Sequence, residues 1–158
     1  EVNADIVFIK NIDNVAAQEY TKEIASHKKV LAGKLLQLQT KMFGFLKALE
    51  EEVSLEKVKE IQSFIWNDLE VKELPGGVEA IKEFLDRPLR VCGVVKNTGA
   101  PGGEPFWVKD YMGNSSLQIV EKSQIDLNDP HQASIINEAT HFNPVDIVCG
   151  LRDYKGNK

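Results

Sequence analysis

The fold is constrained most by a long segment of helical composition, residues 16–52, which contains no proline and stands between a short apolar run and a β-rich half. Apolar side chains recur along it at alternating spacings of four and three residues, the pattern of one face of a long helix. These are Leu31, Leu35, Leu38, Met42, Phe45 and Leu49. The same spacing is typical of a coiled-coil seam, so the stripe is buried either within the domain or in a homodimer through this helix. Gly33 and Gly44 each weaken the helix by about 1 kcal/mol relative to Ala, which allows a break or kink.

Two shorter helices are predicted to follow. Ser54 is a suitable N-cap, and the helix that it begins runs to about residue 69. A Pro-Gly-Gly break at residues 75–77 separates it from a third helix over residues 78–85. Together these helices form an insertion at about residues 16–87.

Strand-forming runs flank the helical insertion. Residues 5–9 are rich in Ile, Val and Phe without clear alternation, which fits a buried strand, with parallel pairing as one option. Further runs are predicted at residues 89–95, 106–109, 117–120 and 141–149, with a hairpin loop at residues 110–114 and Pro144 at an edge or bulge. The order predicts an α/β fold with a mixed sheet. The chain starts close to a strand and stops at a turn-like segment, so we expect residues 1–158 to be a single partial domain of a larger protein.

Charge and composition argue against several classes of protein. The formal net charge of −5 and the pI near 5.3 are not those of a nucleic-acid binder, which presents a basic patch or stripe. No apolar run approaches the roughly 18 residues that a membrane-spanning helix needs, so no membrane partner is expected. Cys92 and Cys149 stand alone in apolar strands, which predicts buried, reduced thiols in a cytoplasmic protein.

Polar residues stand at the ends of the predicted strands. Asp13 follows the first strand, and a carboxylate at the mouth of a sheet is a suitable ligand for Mg²⁺ in phosphate-handling α/β proteins. The alternative is that Asp13 belongs to a turn or caps the next helix. Glu121 ends a later strand and can accept hydrogen bonds from two sugar hydroxyls, unless it is a surface charge. Asn137, Thr140 and His141 precede the last strand, where His141 is either a phosphate or acid–base group or a structural residue.

The Gly- and Pro-rich segment over residues 96–107 lacks the spacing of a phosphate-binding loop and lies between strands. A mobile hairpin loop is one interpretation. In the other, Lys96, a flexible Gly-Gly pair and an exposed Trp107 close over a sugar or phosphate. No strained nucleophile turn is visible, so no nucleophilic triad is expected.

Together these motifs resemble the UDP-sugar pyrophosphorylase group of nucleotidyltransferases, especially its UDP-N-acetylglucosamine type. Residues 12–14 (Ile-Asp-Asn) are similar to a Val-Asp-Asn element whose Asp holds the catalytic metal. Residues 120–125 (Val-Glu-Lys-Ser-Gln-Ile) are similar to a Val-Val-Glu-Tyr-Ser-Glu-Ile motif whose first Glu binds the sugar. Residues 137–142 (Asn-Glu-Ala-Thr-His-Phe) are similar to an Asn-Ile-Cys-Asn-His-Phe motif, with Thr140 in place of the second, sugar-contacting Asn. The group's Gly-rich loop with an Arg and a Lys has no counterpart here, so the resemblance covers the sugar side alone.

A closer resemblance spans essentially all 158 residues. Residues 8–15, the Pro-Gly-Gly at 101–103 with the Pro-Phe-Trp-Val at 105–108, and residues 139–146 resemble a bacterial family called domain of unknown function 4301.

The resemblance to the pyrophosphorylases implies a nucleotide-diphospho-sugar transferase-like fold with Mg²⁺ at Asp13. It also implies a nucleotide sugar or sugar phosphate held by Glu121, Asn137 and Thr140, with Lys96 and His141 near phosphate. We therefore expect Asp13, Glu121 and Thr140 to meet at one edge of a single sheet. The parent protein would be a sugar-1-phosphate nucleotidyltransferase, and this chain alone would be inactive. The alternative is a non-catalytic binding module on a degenerate transferase fold.

Overall fold

The computed structural model describes residues 3–12, 17–71, 73–99, 102–111, 113 and 115–158. The elements in chain order are β1 (Ile6–Lys10), α1 (Thr21–Ala48), α2 (Leu55–Asn67), α3 (Gly77–Leu85), β2 (Arg90–Cys92), β3 (Val95–Lys96), β4 (Glu104–Lys109), β5 (Ser115–Val120), α4 (Pro130–Asn137), β6 (His141–Phe142) and β7 (Asp146–Gly150). Short 3₁₀ turns cover Gln18–Tyr20 and Lys122–Gln124. The predicted α/β class is confirmed.

The strands form three small sheets, in the orders β1-β7-β2, β3-β6 and β4-β5. Within the described residues every pairing is antiparallel, unlike the mixed sheet that was expected. The reason is that β7 lies between β1 and β2 and runs opposite to both. β1 is an edge strand with two half-exposed side chains, Phe8 (41%) and Ile9 (44%), so its expected burial is also wrong. An apolar run alone cannot distinguish such a strand from a buried central one.

β2 and then β3 lie opposite β7 and then β6, so these four strands form one bent, two-stranded antiparallel ribbon. Val95 pairs with Phe142 beyond the pairing of Cys92 with Ile147, so on this side the four residues 143–146 lie opposite the two residues 93–94. The extra residues form a bulge that contains Pro144, as predicted from a proline inside a strand pattern.

The helices agree with the sequence patterns. α1 runs without interruption through Gly33 and Gly44. Ser54 caps α2 by accepting a hydrogen bond from the backbone N–H of Lys57 (3.2 Å). α4 was not predicted, although Asp129 followed by Pro130 is a typical N-cap and first-turn pair.

The apolar stripe of α1 packs within the chain. Five of its six residues are buried, and Leu31 is half-buried. The stripe shares one core with side chains of α2 and α3, and the Phe45 and Phe64 ring centroids are 5.3 Å apart. Each buried Leu or Phe contributes about 1.5–3 kcal/mol, which accounts for the docking of the three helices. The alternative of a homodimer through the long helix stays a prediction. Among the described residues, no helix is both long and apolar enough to cross a bilayer.

Candidate functional site

The carboxyl ends of β1 and β2 point to the same edge of their sheet, where β7 begins. Lys10, the last residue of β1, is paired with Asp146, the first residue of β7. Gly93, directly after β2, donates its N–H to the Asp146 carbonyl (2.8 Å). The ribbon then continues past this edge as β3 and β6. Polar groups on β3 and β6 therefore lie beyond the carboxyl end of β2.

Asn143 connects this edge to the β4–β5 hairpin. Its side chain is 1% exposed, and its amide donates to the Gly93 carbonyl and accepts from the Val145 N–H (3.0 Å). Its backbone N–H donates to the Gly103 carbonyl (2.7 Å), just before β4. The bulge and the start of the hairpin are thus held by one residue.

Lys96 and His141 lie directly opposite each other in the β3–β6 pair. Side chains so placed share a face of the ribbon, with Cβ atoms about 5 Å apart. The next residues continue the ladder, since Asn97 donates its N–H to the Thr140 carbonyl (2.9 Å). The Thr140 hydroxyl lies 2.9 Å from His141 Nδ1. Lys96 is therefore a neighbour of Thr140 and His141, which belong to a different sequence motif.

Glu104, at the start of β4, is a buried carboxylate that the sequence did not reveal. It is 4% exposed, and its Oε1 accepts from the Asn97 side chain (2.8 Å). Among the described residues, its Oε2 is buried and has no hydrogen-bond partner. A buried polar atom in that state is costly, so Glu104 is a candidate for a functional role. The sequence placed Glu104 in a Gly- and Pro-rich loop, which indicated an exposed residue. We call Lys96, Asn97, Glu104, Thr140 and His141 the β6 polar cluster.

Glu121 lies beside Gly103, the residue that precedes β4, and has a structural task. A Cβ atom built on Gly103 would be 3.0 Å from Glu121 Oε1, which places the carboxylate beside the junction of Gly103 and Asn143. The carboxylate also accepts from the Gln124 N–H, while the Gln124 side chain accepts from the Glu121 N–H (2.9 Å). Glu121 thus caps the short turn after β5.

The expected grouping on a single sheet is wrong for Glu121 and Thr140. Thr140 adjoins the β3–β6 pair and Glu121 adjoins the β4–β5 pair, and the contact of Gly103 with Asn143 joins these pairs. Asn137 is the exposed last residue of α4, and within the described chain no hydrogen bond links its side chain to the cluster.

The predicted Gly-Gly flexibility is also wrong. A Cβ atom on Gly102 would lie 2.6 Å from Phe142 Cδ2, and one on Gly103 would lie 2.5 Å from Ile119 Cγ2. Both glycines are needed for close packing. Trp107 is 45% exposed but lies within β4, paired with Leu117.

Asp13, the predicted magnesium ligand, lies outside the described residues. Asp146, the carboxylate at the same edge, forms an ion pair with Lys28 of α1, with Nζ 2.8 Å from Oδ1. The Lys28 ammonium also lies 5.1 Å from the centre of the Phe8 ring. Elsewhere in the described ranges, no three His, Cys, Asp or Glu side chains gather to hold a metal ion.

Comparison with known families gives one result. The sequence profile of the family described as "Domain of unknown function (DUF4301)" matches residues 1–158. Neither a curated protein nor a solved structure matches the chain.

Proposed function

The chain belongs to the DUF4301 family, and we propose that it binds a sugar phosphate or nucleotide sugar at the β6 polar cluster. In this proposal it is the sugar-side part of a sugar-1-phosphate nucleotidyltransferase-like protein with the corresponding transferase fold. The family description carries no activity, so the proposal rests on the geometry of the cluster and on the motif resemblance.

The observation that supports it most is the pairing of Lys96 with His141. An ammonium and an imidazole N–H on one face of a ribbon are two donors suited to the oxygens of one phosphate. If the Thr140 hydroxyl donates to Nδ1 of His141, the tautomer with the proton on Nε2 is favoured, and Nε2 can then donate to the ligand.

In this proposal, Glu121 and Thr140 supply the acceptors for the sugar hydroxyls. Glu121 has two carboxylate oxygens beside Gly103 and Asn143, and hydroxyl groups donate readily to carboxylates. Thr140 adds a hydroxyl that both donates and accepts. Phosphate donors beside hydroxyl acceptors are the chemistry that a sugar phosphate requires.

In the parent protein, an oxygen of the sugar phosphate would attack the α-phosphorus of a nucleoside triphosphate. The new P–O bond would replace the bond from the α-phosphorus to its bridging oxygen, and pyrophosphate would leave. Mg²⁺ at Asp13 is part of the proposal, whereas Asp146, the described carboxylate where β1 ends, is paired with Lys28. For this chain we therefore propose binding and derive no step through the metal.

The same ion pair favours a second candidate function, a binding module without catalysis. An ammonium already neutralises the carboxylate at the strand edge, so no divalent cation is needed there. Binding of the sugar phosphate would then be independent of Mg²⁺.

Calorimetric titration with N-acetylglucosamine 1-phosphate and with UDP-N-acetylglucosamine tests the proposal. We expect Lys96→Ala and His141→Ala each to weaken binding at least about tenfold, because each removes a charge-assisted or ring N–H hydrogen bond to phosphate.

Matched controls are Lys109→Ala, whose ammonium is exposed at the far end of β4, and His131→Ala in the first turn of α4. Both should bind as the unaltered chain does. Equal affinity of Lys96→Ala and Lys109→Ala would contradict the proposal. If Mg²⁺ raises the affinity for the ligand and Asp13→Asn removes that increase, the transferase-like function is favoured. If Mg²⁺ does not change the affinity, the binding module without catalysis is favoured.

A further inference from the structure

A cleft of about 540 Å³ lies between the helices and the β4–β5 hairpin. Its floor is apolar and comes from the helical layer, with Leu38, Met42, Val71 and Phe84 among its lining. None of the residues that line it belongs to the β6 polar cluster. The volume lies within the range of about 300–1,000 Å³ that small-molecule sites occupy.

The strand wall of this cleft presents one arginine and two thiols. Arg90 is paired with Cys149, and Cys92 lies two residues further along β2, so the three side chains share one face of the sheet. All three line the cleft. Both cysteines are free and half-buried rather than fully buried as expected, and burial raises the pKa of the Cys92 thiol.

Two guanidinium groups stand at the cleft. Arg87 lies 4.0 Å from the centre of the Phe84 ring, a contact that fixes its plane. Arg90 donates to the Gln118 side chain (2.7 Å), and Gln118 donates in turn to the Ser116 hydroxyl (3.1 Å). Each guanidinium has five donors, so most of the donors of Arg90 stay available.

The charge of the lining is positive although the protein carries a net charge of −5. Asp68 is the one acidic residue among the lining residues described, and its carboxylate is 3.2 Å from the Lys41 ammonium. Asp110 acts on Arg87 from outside the lining. Neither arginine forms a salt bridge within the described part of the chain.

We propose that this cleft binds a small molecule with an anionic group on an aromatic or apolar body. Arg90 and Arg87 hold the anion, and the helical floor holds the apolar part. The inference is independent of the sugar-phosphate proposal, since the two sites share no residue.

Two fluorescent probes that differ in charge test it: anilinonaphthalene sulfonate, which is anionic, and N-phenylnaphthylamine, which is neutral. We expect the sulfonate to bind with one site per chain, and Arg90→Gln and Arg87→Gln each to weaken it about tenfold. The neutral probe should change less than about twofold. Saturating sulfonate should also slow the alkylation of Cys92 and Cys149 by N-ethylmaleimide.

Lys59→Gln, which removes an exposed positive charge on α2, is the matched control and should change nothing. Near-ultraviolet circular dichroism verifies that each variant is folded. Arg87→Gln should fold normally, because the Arg87 side chain is exposed and the residue lies outside the strands. Unchanged sulfonate affinity in both arginine variants would overturn the proposal. So would equal losses for the two probes, or thiols that the bound sulfonate does not protect.

Discussion

Asn143 determines the geometry of the candidate site through four hydrogen bonds, to Gly93, Gly103, Val145 and Asp146. The bulge it closes also contains a strained residue, because Val145 has a φ of 57°. A β-branched residue in the left-handed region costs about 1–2 kcal/mol, which the surrounding hydrogen bonds must offset. The relative positions of His141 and Glu121 therefore depend on the backbone and side chain of Asn143, a residue that is not proposed to contact the ligand.

Asn143→Ala should lower the free energy of unfolding by about 3 kcal/mol, because it leaves the Gly93 carbonyl and the Val145 N–H buried and unpaired at about 1–3 kcal/mol each. Urea denaturation measures the loss. Asn67→Ala, which removes an exposed hydrogen bond to Ser63, should cost less than about 0.5 kcal/mol. A similar small cost for Asn143→Ala would show that the bulge does not need its side chain.

At the level of single residues, the sequence predicted some features of the site and missed others. Pro144 predicted a bulge because proline cannot donate to a ladder. Nothing distinguished Asn143 from the other asparagines, since burial and partners depend on strands distant in the chain. Glu104 was missed for the same reason. Its burial results from Asn97 and the packed Gly102–Gly103 segment, and the composition there indicated a mobile loop.

At the scale of elements, local patterns predicted the three helices of the insertion and the β4–β5 hairpin. The apolar spacing of α1 and the Ser54 cap are properties of neighbouring residues, so the sequence contains them directly. Pairing direction is not local. β7 separates β1 from β2 because of contacts between residues more than 50 positions apart, and no periodicity encodes that.

Gly33→Ala and Gly44→Ala should each stabilise the protein by about 0.5–1 kcal/mol, because Ala has the higher helix propensity and a Cβ atom at either site would meet no atom within 4 Å. The two sites are about 16 Å apart along the helix, so the effects should add in the double variant. Thermal and urea denaturation measure them.

Gly102→Ala is the opposing control for the α1 variants. Its Cβ atom would lie 2.6 Å from the Phe142 ring and 2.8 Å from the Asn143 carbonyl, so this change should destabilise the protein. A loss of stability in Gly33→Ala would mean that α1 requires a glycine for a reason that its open surroundings do not reveal.

In the molecule as a whole, the last turn of the chain links the β1-β7-β2 sheet to the helical core. After β7, the backbone closes a turn in which Asp153 donates its N–H to the Asn157 carbonyl (2.9 Å). The ring of Tyr154 is 8% exposed and packs in the core of α1, α2 and α3. Its hydroxyl donates to Glu50, just beyond α1 (2.7 Å), and Lys155 adds an ion pair to the same oxygen (3.1 Å). The last turn of the chain and α1 should therefore unfold together.

This link makes stability depend on pH in acid. The hydrogen bond from the Tyr154 hydroxyl, and then the Lys155 ammonium, lower the pKa of Glu50 in the folded protein. Its contribution is fully present above the ordinary Glu pKa of about 4.3 and is lost as pH falls through the lower folded pKa. Tyr154→Phe removes the largest cause of this shift, so the variant should lose less stability between about pH 6 and about pH 3 than the unaltered chain.

Urea denaturation at several pH values tests this expectation, with Tyr111→Phe, whose side chain is 97% exposed, as the control. The difference between the unaltered chain and Tyr154→Phe should be largest near neutral pH and should shrink in acid, because protonated Glu50 has little to gain from the Tyr154 hydroxyl donor. Tyr111→Phe should follow the unaltered chain at every pH. A difference for Tyr154→Phe that stays constant across the range would mean that the lost hydroxyl acts through packing and not through the charge of Glu50.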